Sequence, residues 1–300
     1  MQNQEVNLVF GATLQGSTLK VVRQVFRNMS VDDVIFEVNQ EGMKLTVEEG
    51  QTIQESLYIP KDWCVNYFVR DDHPLTQGPI IFAVDLGSFT NCLLMTKDYD
   101  CQLMMMFSGD ENPFLLDFSG FSEAGIRIES ELKIKTYVQP IKFQQDNIPM
   151  TKNTIKMSGN NFTNLINDID VGSDEVEIEL STEDPHCILR ATGRVHVEAI
   201  IQVKKTSKAF RSFICPYTIK ERFRTSHIRT ASKCISLAQE VRLHLYTTGL
   251  LTIEILIDKH QAQQQESLQR TSNTTVYIPP AEDAMVRIKY FITPTINVDE

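Results

Sequence analysis

The sequence predicts an α+β fold built twice over. Three observations carry it. Residues Asn7–Gly50 read as strand, cap, amphipathic helix, strand, tight turn and strand, and Asn153–Gly193 repeats that order. The apolar positions keep step, with Val22, Phe26, Val34 and Phe36 matched by Phe162, Ile166, Val176 and Ile178. Elsewhere the chain alternates apolar and polar residues, as half-buried strands do, and only four short segments have a helical period. Two helices per half among antiparallel strands give α+β rather than a parallel βαβ sheet.

Each element follows from local pattern. In the first half strands are predicted over Asp33–Asn39, Met43–Glu48, Ile53–Ile59, Val65–Arg70, Leu103–Phe107, Phe114–Phe118 and Ile126–Ile134. The second half adds Glu175–Leu180, Ile188–Thr192, Arg194–Val203, Ala209–Ile214, Glu240–Leu245, Leu250–Ile257, Val276–Pro279 and Met285–Thr293. Helices are predicted to begin near Ser17, Asp85, Ser158 and Ser226, residue types that cap helix N-termini. Tyr137–Lys152 holds Pro140 and Pro149 with little periodicity and reads as a linker. The division is therefore 1–136, a connection over 137–152, and 153–300. A second irregular stretch, Asp258–Thr275, reads as a long hairpin loop.

Composition narrows the function. Three hundred residues, 42% hydrophobic and 23% charged, suffice for two ordinary cores. A net charge of −10 argues against a generic nucleic-acid binder but leaves room for a local basic stripe. Cys64, Cys92, Cys101, Cys187, Cys215 and Cys234 form no CxxC pair, and buried reduced thiols are expected. No signal-like N-terminal run or membrane span is read, so a reducing compartment, cytosol or nucleus, is expected. The sequons at Asn28, Asn161 and Asn273 are then read as chance matches.

The helices carry cations. In the first, Leu19, Val22, Val25, Phe26 and Met29 form the apolar stripe. Lys20, Arg23 and Arg27 fall within roughly 60° of one another at about 100° per residue. Arg229 and Lys233 stand one turn apart in the fourth helix, with Ile228 and Ile235 free to point inward, and Lys97 lies near the end of the second. The third offers Asn160, Asn161, Asn164 and Asn167, followed by Asp168 and Asp170. Such faces suit phosphates rather than base edges. A solvated helix face explains any one of them; recurrence in a repeated unit is what favours a shared role.

Enzyme motifs fail on their chemistry. Gly11–Thr18, GATLQGST, has the glycine spacing of a phosphate loop, but Ser17 stands where the phosphate-gripping lysine belongs. Asp71-Asp72-His73, Asp110-Glu111 and Glu183–His186 read as loop tips, not as carboxylate clusters for two metal ions. There is no GxSxG and no histidine paired with a nucleophile. No catalytic residue, metal site or cofactor is expected.

At this point the chain resembles a family. Doubled strand–helix–strand units, a proline-containing linker and the ending Val286–Glu300, VRIKYFITPTINVDE, are similar to the eukaryotic sliding clamps related to proliferating cell nuclear antigen. Within them it is identified as a member of the Rad-one subunits of the nine-one-one checkpoint clamp. Glu41–Pro60, Cys101–Phe107 and Phe223–Ile257 carry that match, above all the core GMKLTVE followed by Gln54. Glu55 stands where a small residue is usual there. The chain ends just past its last strand, unlike the Rad-nine subunit with its long tail.

The resemblance implies a DNA-clamp fold and a non-enzymatic subunit of a nuclear, heterotrimeric ring, loaded at damaged DNA to recruit checkpoint and repair proteins. It implies Rad-nine-like and Hus-one-like partners, a clamp loader, double-stranded DNA in the channel and no membrane. Lys20, Arg23, Arg27, Lys97, Arg229 and Lys233 would face the DNA. Ile126, Ile128, Leu132 and Ile134 on one edge, and Val195, Val197, Ala199 and Ile201 on another, would meet neighbours. Tyr137, Pro140, Phe143 and Ile148 would form a partner-binding linker. A homotrimeric replication clamp and a 3′–5′ exonuclease are the alternatives.

Overall fold

Among the described residues, eighteen antiparallel strands and four α-helices are laid down as one pattern used twice. The computed structural model describes residues 8–26, 31–72, 74–95, 99–109, 111–122, 124–142, 151–169, 173–193, 198–259 and 284–295. The first pass runs β1 (Phe10–Gln15), α1 (Gly16–Phe26), β2 (Asp33–Asn39), β3 (Gly42–Glu49), β4 (Ile53–Pro60), β5 (Asn66–Val69), β6 (Ile80–Asp85), α2 (Leu86–Leu94), β7 (Tyr99–Phe107), β8 (Phe114–Ser122) and β9 (Arg127–Ile134). The second runs β10 (Lys152–Met157), α3 (Gly159–Ile169), β11 (Ser173–Leu180), β12 (Cys187–Gly193), β13 (Glu198–Val203), β14 (Phe210–Ile214), β15 (Ile219–Arg224), α4 (Thr225–Ser232), β16 (Glu240–Tyr246), β17 (Leu251–Ile257) and β18 (Val286–Ile292).

The pairings repeat strand for strand. The run β5-β1-β7-β8-β9, a sheet of its own, recurs as β14-β10-β16-β17-β18, and the run β6-β2-β3-β4 recurs as the sheet β15-β11-β12-β13; the runs β14–β18 and β4–β6 stand in one nine-stranded order. Hence β9 corresponds to β18, and β4 to β13. The chain divides into two compact units: Met1–Val47, Ser56–Ile141 and Asp258–Val286 form the first, and Glu48–Glu55, Lys142–Ile257 and Arg287–Glu300 the second. The units thus exchange pieces that a cut at the linker would keep apart.

Several sequence expectations change in detail. The helix starts at Asp85 and Ser158 are capped by side chains: Asp85 Oδ1 accepts from Ser88 N at 2.6 Å, and Ser158 Oγ from Asn161 N at 3.2 Å. Ser17 and Ser226 lie inside their helices instead. The chain enters α1 through Gly16 at φ 53°, a conformation glycine adopts cheaply. At α4 the cap position is Arg224, which makes no side-chain cap bond. The glycine-spaced segment is not a loop, since Gly11–Gln15 is strand and a Cβ on Gly11 would meet Phe68 Cε1 at 2.3 Å. The alternation missed β6, reading IIFAVD, because four of its six residues are buried, so no polar face punctuates it.

The linker is tied down at both ends. Tyr137 bridges Ala83 through two backbone bonds of 2.8 and 3.1 Å, and Lys152 already belongs to β10. Residues 143–150 and the strand expected over 276–279 lie outside the described residues, as does most of the 258–275 loop. The repeat also needs a new helix alignment. Matching α1 to α3 end to end, eleven residues each, sets Val22 against Leu165 and Phe26 against Ile169.

The two cores are built from different material. In the first unit Phe82 of β6 stacks between Phe36 of β2 at 5.0 Å and Phe107 of β7 at 4.2 Å. Phe89 of α2 meets Phe36 edge-on at 5.4 Å, and Phe26 of α1 at 6.2 Å. One aromatic cluster therefore fixes both helices onto both sheets. The second unit is aliphatic, and Ile155, Phe162, Ile178, Leu243 and Ile253 line a cavity of about 30 Å³. Among the six cysteines, all free, Cys64 and Cys215 are only half-buried.

A carboxyl group is sealed in the second unit. Glu55 of β4 is 1% exposed and accepts from Tyr290 Oη of β18 at 2.6 Å, while its Oε2 has no hydrogen-bond partner among the described residues. Burial pushes the Glu55 carboxyl up to about 8, against smaller opposing effects of the Tyr290 bond and the Lys233 charge. A folded value above the unfolded 4.5 means that folding takes up a proton between them. Glu55 therefore weakens stability by about 1.4 kcal/mol for each pH unit gained within that window. Glu55→Gln should remove this slope and raise the neutral-pH urea midpoint. Equal slopes in parent and variant would refute a protonated Glu55.

Candidate nucleic-acid interface

The helical surfaces differ more than a repeat would suggest. On α1 the apolar residues Leu19, Val21, Val22, Val25 and Phe26 are buried, leaving Lys20, Arg23 and Gln24 at the surface, one turn or less apart. Its counterpart α3 carries Thr163, Ile166 and Asn167 at those places, with Asn160 and Asn164 exposed. On α2 the exposed residues are Gly87, Ser88, Asn91 and Leu94, all uncharged. On α4 Arg229 is half-buried, and Lys233, just past its end, is exposed. Cations thus lie on α1 and α4, which are not counterparts. Arg27 and Lys97 lie outside the described residues.

Neighbouring groups decide how much charge each face offers. Burial pulls His227 on α4 below its ordinary value, with Glu49 opposing, so it stays neutral at physiological pH. Several sheet cations are neutralised by neighbouring carboxylates. Glu177 of β11 binds Arg190 at 2.8 Å, Lys220 at 3.0 Å and Arg222 at 3.3 Å, and Lys44 meets Glu37 at 2.7 Å. Arg242 is held by Glu240 at 2.6 Å. Lys20, by contrast, has no carboxylate partner among the described residues. Reading helices alone missed one more basic stretch, Lys204–Arg211, whose signal is a run of cations without an acid.

The expected interface residues fall on sheet edges, with individual differences. Among the described residues β9 pairs with β8 alone, and β13 with β12 alone. Ile128 and Leu132 are half-buried along β9, Ile126 precedes it at 64% exposure, and Ile134 is buried in its own unit. Ala199 and Ile201 are half-buried on β13, between which Ile200 is 50% exposed. Val195 and Val197 lie outside the described residues, as do Phe143 and Ile148. In the linker Pro140 is exposed, but the Tyr137 hydroxyl donates to Asp33 and its backbone is paired. Tyr137 is therefore an anchor of the first unit rather than part of a loose connection.

Duplicated strand order with two helices per half defines a sliding-clamp fold. The crystal structure of proliferating cellular nuclear antigen from Entamoeba histolytica matches it with a TM-score of 0.66 over 96% of this chain and 100% of that one, at 16% identity. The chain belongs to the Rad1 family: the family model described as repair protein Rad1/Rec1/Rad17 matches residues 16–257. It is 23% identical over 282 residues to the DNA repair protein Rad1 of Drosophila melanogaster, covering 94% of this chain and 93% of that protein. It is 19% identical over 229 residues to the cell cycle checkpoint protein RAD1 of Mus musculus, covering 75% and 78%. Family and fold together make it a checkpoint-clamp subunit.

Lys20 and Arg23 stand off the buried stripe of α1, so reversing both to Glu should leave the melting temperature nearly unchanged. Retention of the assembled clamp on DNA should fall, with a salt slope shallower by about 0.9 for each phosphate no longer neutralised. An equal charge reversal at Lys44 and Lys61 is the control. Equal losses in both variants would trace the effect to net charge.

Proposed function

We propose that this subunit closes a three-membered ring around double-stranded DNA with two different clamp paralogues, Rad-nine-like and Hus-one-like. A clamp loader sets the ring at damaged DNA, where it recruits checkpoint and repair proteins in the nucleus. The subunit works by topological linkage and binding, and makes or breaks no bond.

The carrying observation is the pair of strand edges. Beside β18 lies the start of β4: Tyr290 bonds Glu55, and Thr293 N donates to Thr52 O at 3.0 Å. By strand order β9 is the counterpart of β18, and β13 that of β4. Setting β13 of one subunit beside β9 of the next would repeat an arrangement the chain already uses. It would also pair backbone groups that open edges leave exposed. Exposed Ile126 and Phe121, at 64% and 57%, sit at one end of the β8–β9 hairpin and fit an edge that a neighbour covers.

Among the described residues no group of three His, Cys, Asp or Glu side chains stands close enough to hold a metal ion. A two-metal exonuclease needs such a group. No described helix is long and apolar enough to cross a membrane.

Mass measurement of the purified chain should give a monomer, and purification from cells should bring two different paralogues with it. A self-assembled trimer would favour the replication-type clamp. Proline scanning at Ile128, Glu129, Ile200 and Ile201 covers both pleat phases, so at least one site per strand should remove an outward donor and lower trimer yield. Undiminished yield throughout would place the interface elsewhere.

A further inference from the structure

We propose that the β13–β14 loop is a second phosphate-binding element, touching the DNA backbone through Lys205 and Lys208 with Lys204 beside them. The inference rests on the ring reading and extends it to residues off the helices.

Its charge is concentrated and local. The chain carries a net charge of −10, yet Val203–Arg211, VKKTSKAFR, holds four cations and no acid. Arg211 is drawn to Glu240 at 3.5 Å, and Lys204 to Asp184 at 3.1 Å with 70% of its side chain exposed. Lys205 and Lys208 are exposed and have no carboxylate partner among the described residues. This differs from the sheet cations around Glu177, which are consumed internally.

The loop is held in shape and beside a helix. Ser207 N donates to Lys204 O at 2.9 Å, and Phe210 N to Ser207 O at 3.2 Å. Ala209 N donates to Ser207 Oγ at 3.2 Å. Asn161 Nδ2 of α3 donates to Ala209 O at 2.9 Å, which ties the loop to the first turn of that helix. The exposed Asn160 and Asn164 follow on α3. Where α1 supplies its own cations, α3 has none, and Lys208 directly precedes the Ala209 whose carbonyl binds Asn161.

The chemistry favours a phosphodiester backbone over an acidic peptide. Binding to phosphates needs cations and amide donors without a fixed sequence. A peptide site needs an apolar anchor, and no large hydrophobic side chain between residues 201 and 213 is exposed.

The test uses the full chain and a fluorescent linear duplex, titrated from low to high salt by anisotropy. Lys204→Gln, Lys205→Gln and Lys208→Gln are combined, with melting curves to confirm the fold. Lys44→Gln, Lys61→Gln and Lys220→Gln make the same change in net charge elsewhere. The loop variant should show a salt slope shallower by about 0.9 per phosphate released, roughly 1.8 for two, with the control near the parent. An unchanged slope, an equal change in the control, or no binding by the parent at low salt would overturn the proposal. So would loss of poly-glutamate binding with duplex binding intact. Paralogue copurification with an unchanged loop slope sinks this inference alone. A shallower slope without paralogues sinks the ring reading alone.

Discussion

A β-strand at the end of a sheet leaves a row of backbone donors and acceptors without partners, and those groups govern this molecule. Each half has the same strand order, so strands that end a run in one half recur in the other, among them β9 and β4 in one pass and β18 and β13 in the other. The chain satisfies β18 with the start of β4. The same construction leaves β9 and β13 with one neighbour each among the described residues. A duplicated unit that pairs one set of its edges within the chain leaves the counterpart edges open among the described residues.

Charge is sorted in the same economical way. An acidic chain can hold DNA only where its cations are left uncompensated. The sheets compensate theirs in cross-strand clusters, with Glu177 surrounded by three basic side chains and its carboxyl held below the ordinary range despite burial. Lys20 on α1 and Lys205 and Lys208 of the β13–β14 loop have no carboxylate partner among the described residues. The basic surface is therefore defined by where carboxylates are missing, not by where lysines are most frequent.

The halves have diverged beneath their common topology. Stacked phenyl rings join the helices and sheets of the first unit, whereas branched aliphatics and a small void do so in the second. The second unit also accepts a buried acid at Glu55, with Tyr290 as its hydrogen-bond donor and Cys234 nearby. Keeping such a group protonated above its unfolded value costs stability as pH rises, so the β4–β18 pairing carries a dependence on pH that a small residue at this place would lack. Asymmetry of this kind gives each edge its own surroundings.

The sequence by itself determined the duplication, most strands and the four helices, because alternation and helical period are local consequences of burying one face. β2 was legible residue for residue, while β6 was hidden because its outward Ile81 is apolar and Ala83 on the same face is buried, which erases the alternation. It also determined that Lys20 and Arg23 share a surface, since helical geometry fixes that without any neighbour. Only the tertiary structure decided which cations keep their charge available, because ion pairing joins residues far apart, as Arg222 with Glu177. It alone decided that Tyr137 anchors to Ala83, that Ile134 turns into the core, and that the Lys204–Lys208 loop is tied to α3. Glu55 makes the distinction plainest. Its position in a strand is written in its neighbours, but its protonation is set by the burial that β18 and Tyr290 impose from the far end of the chain.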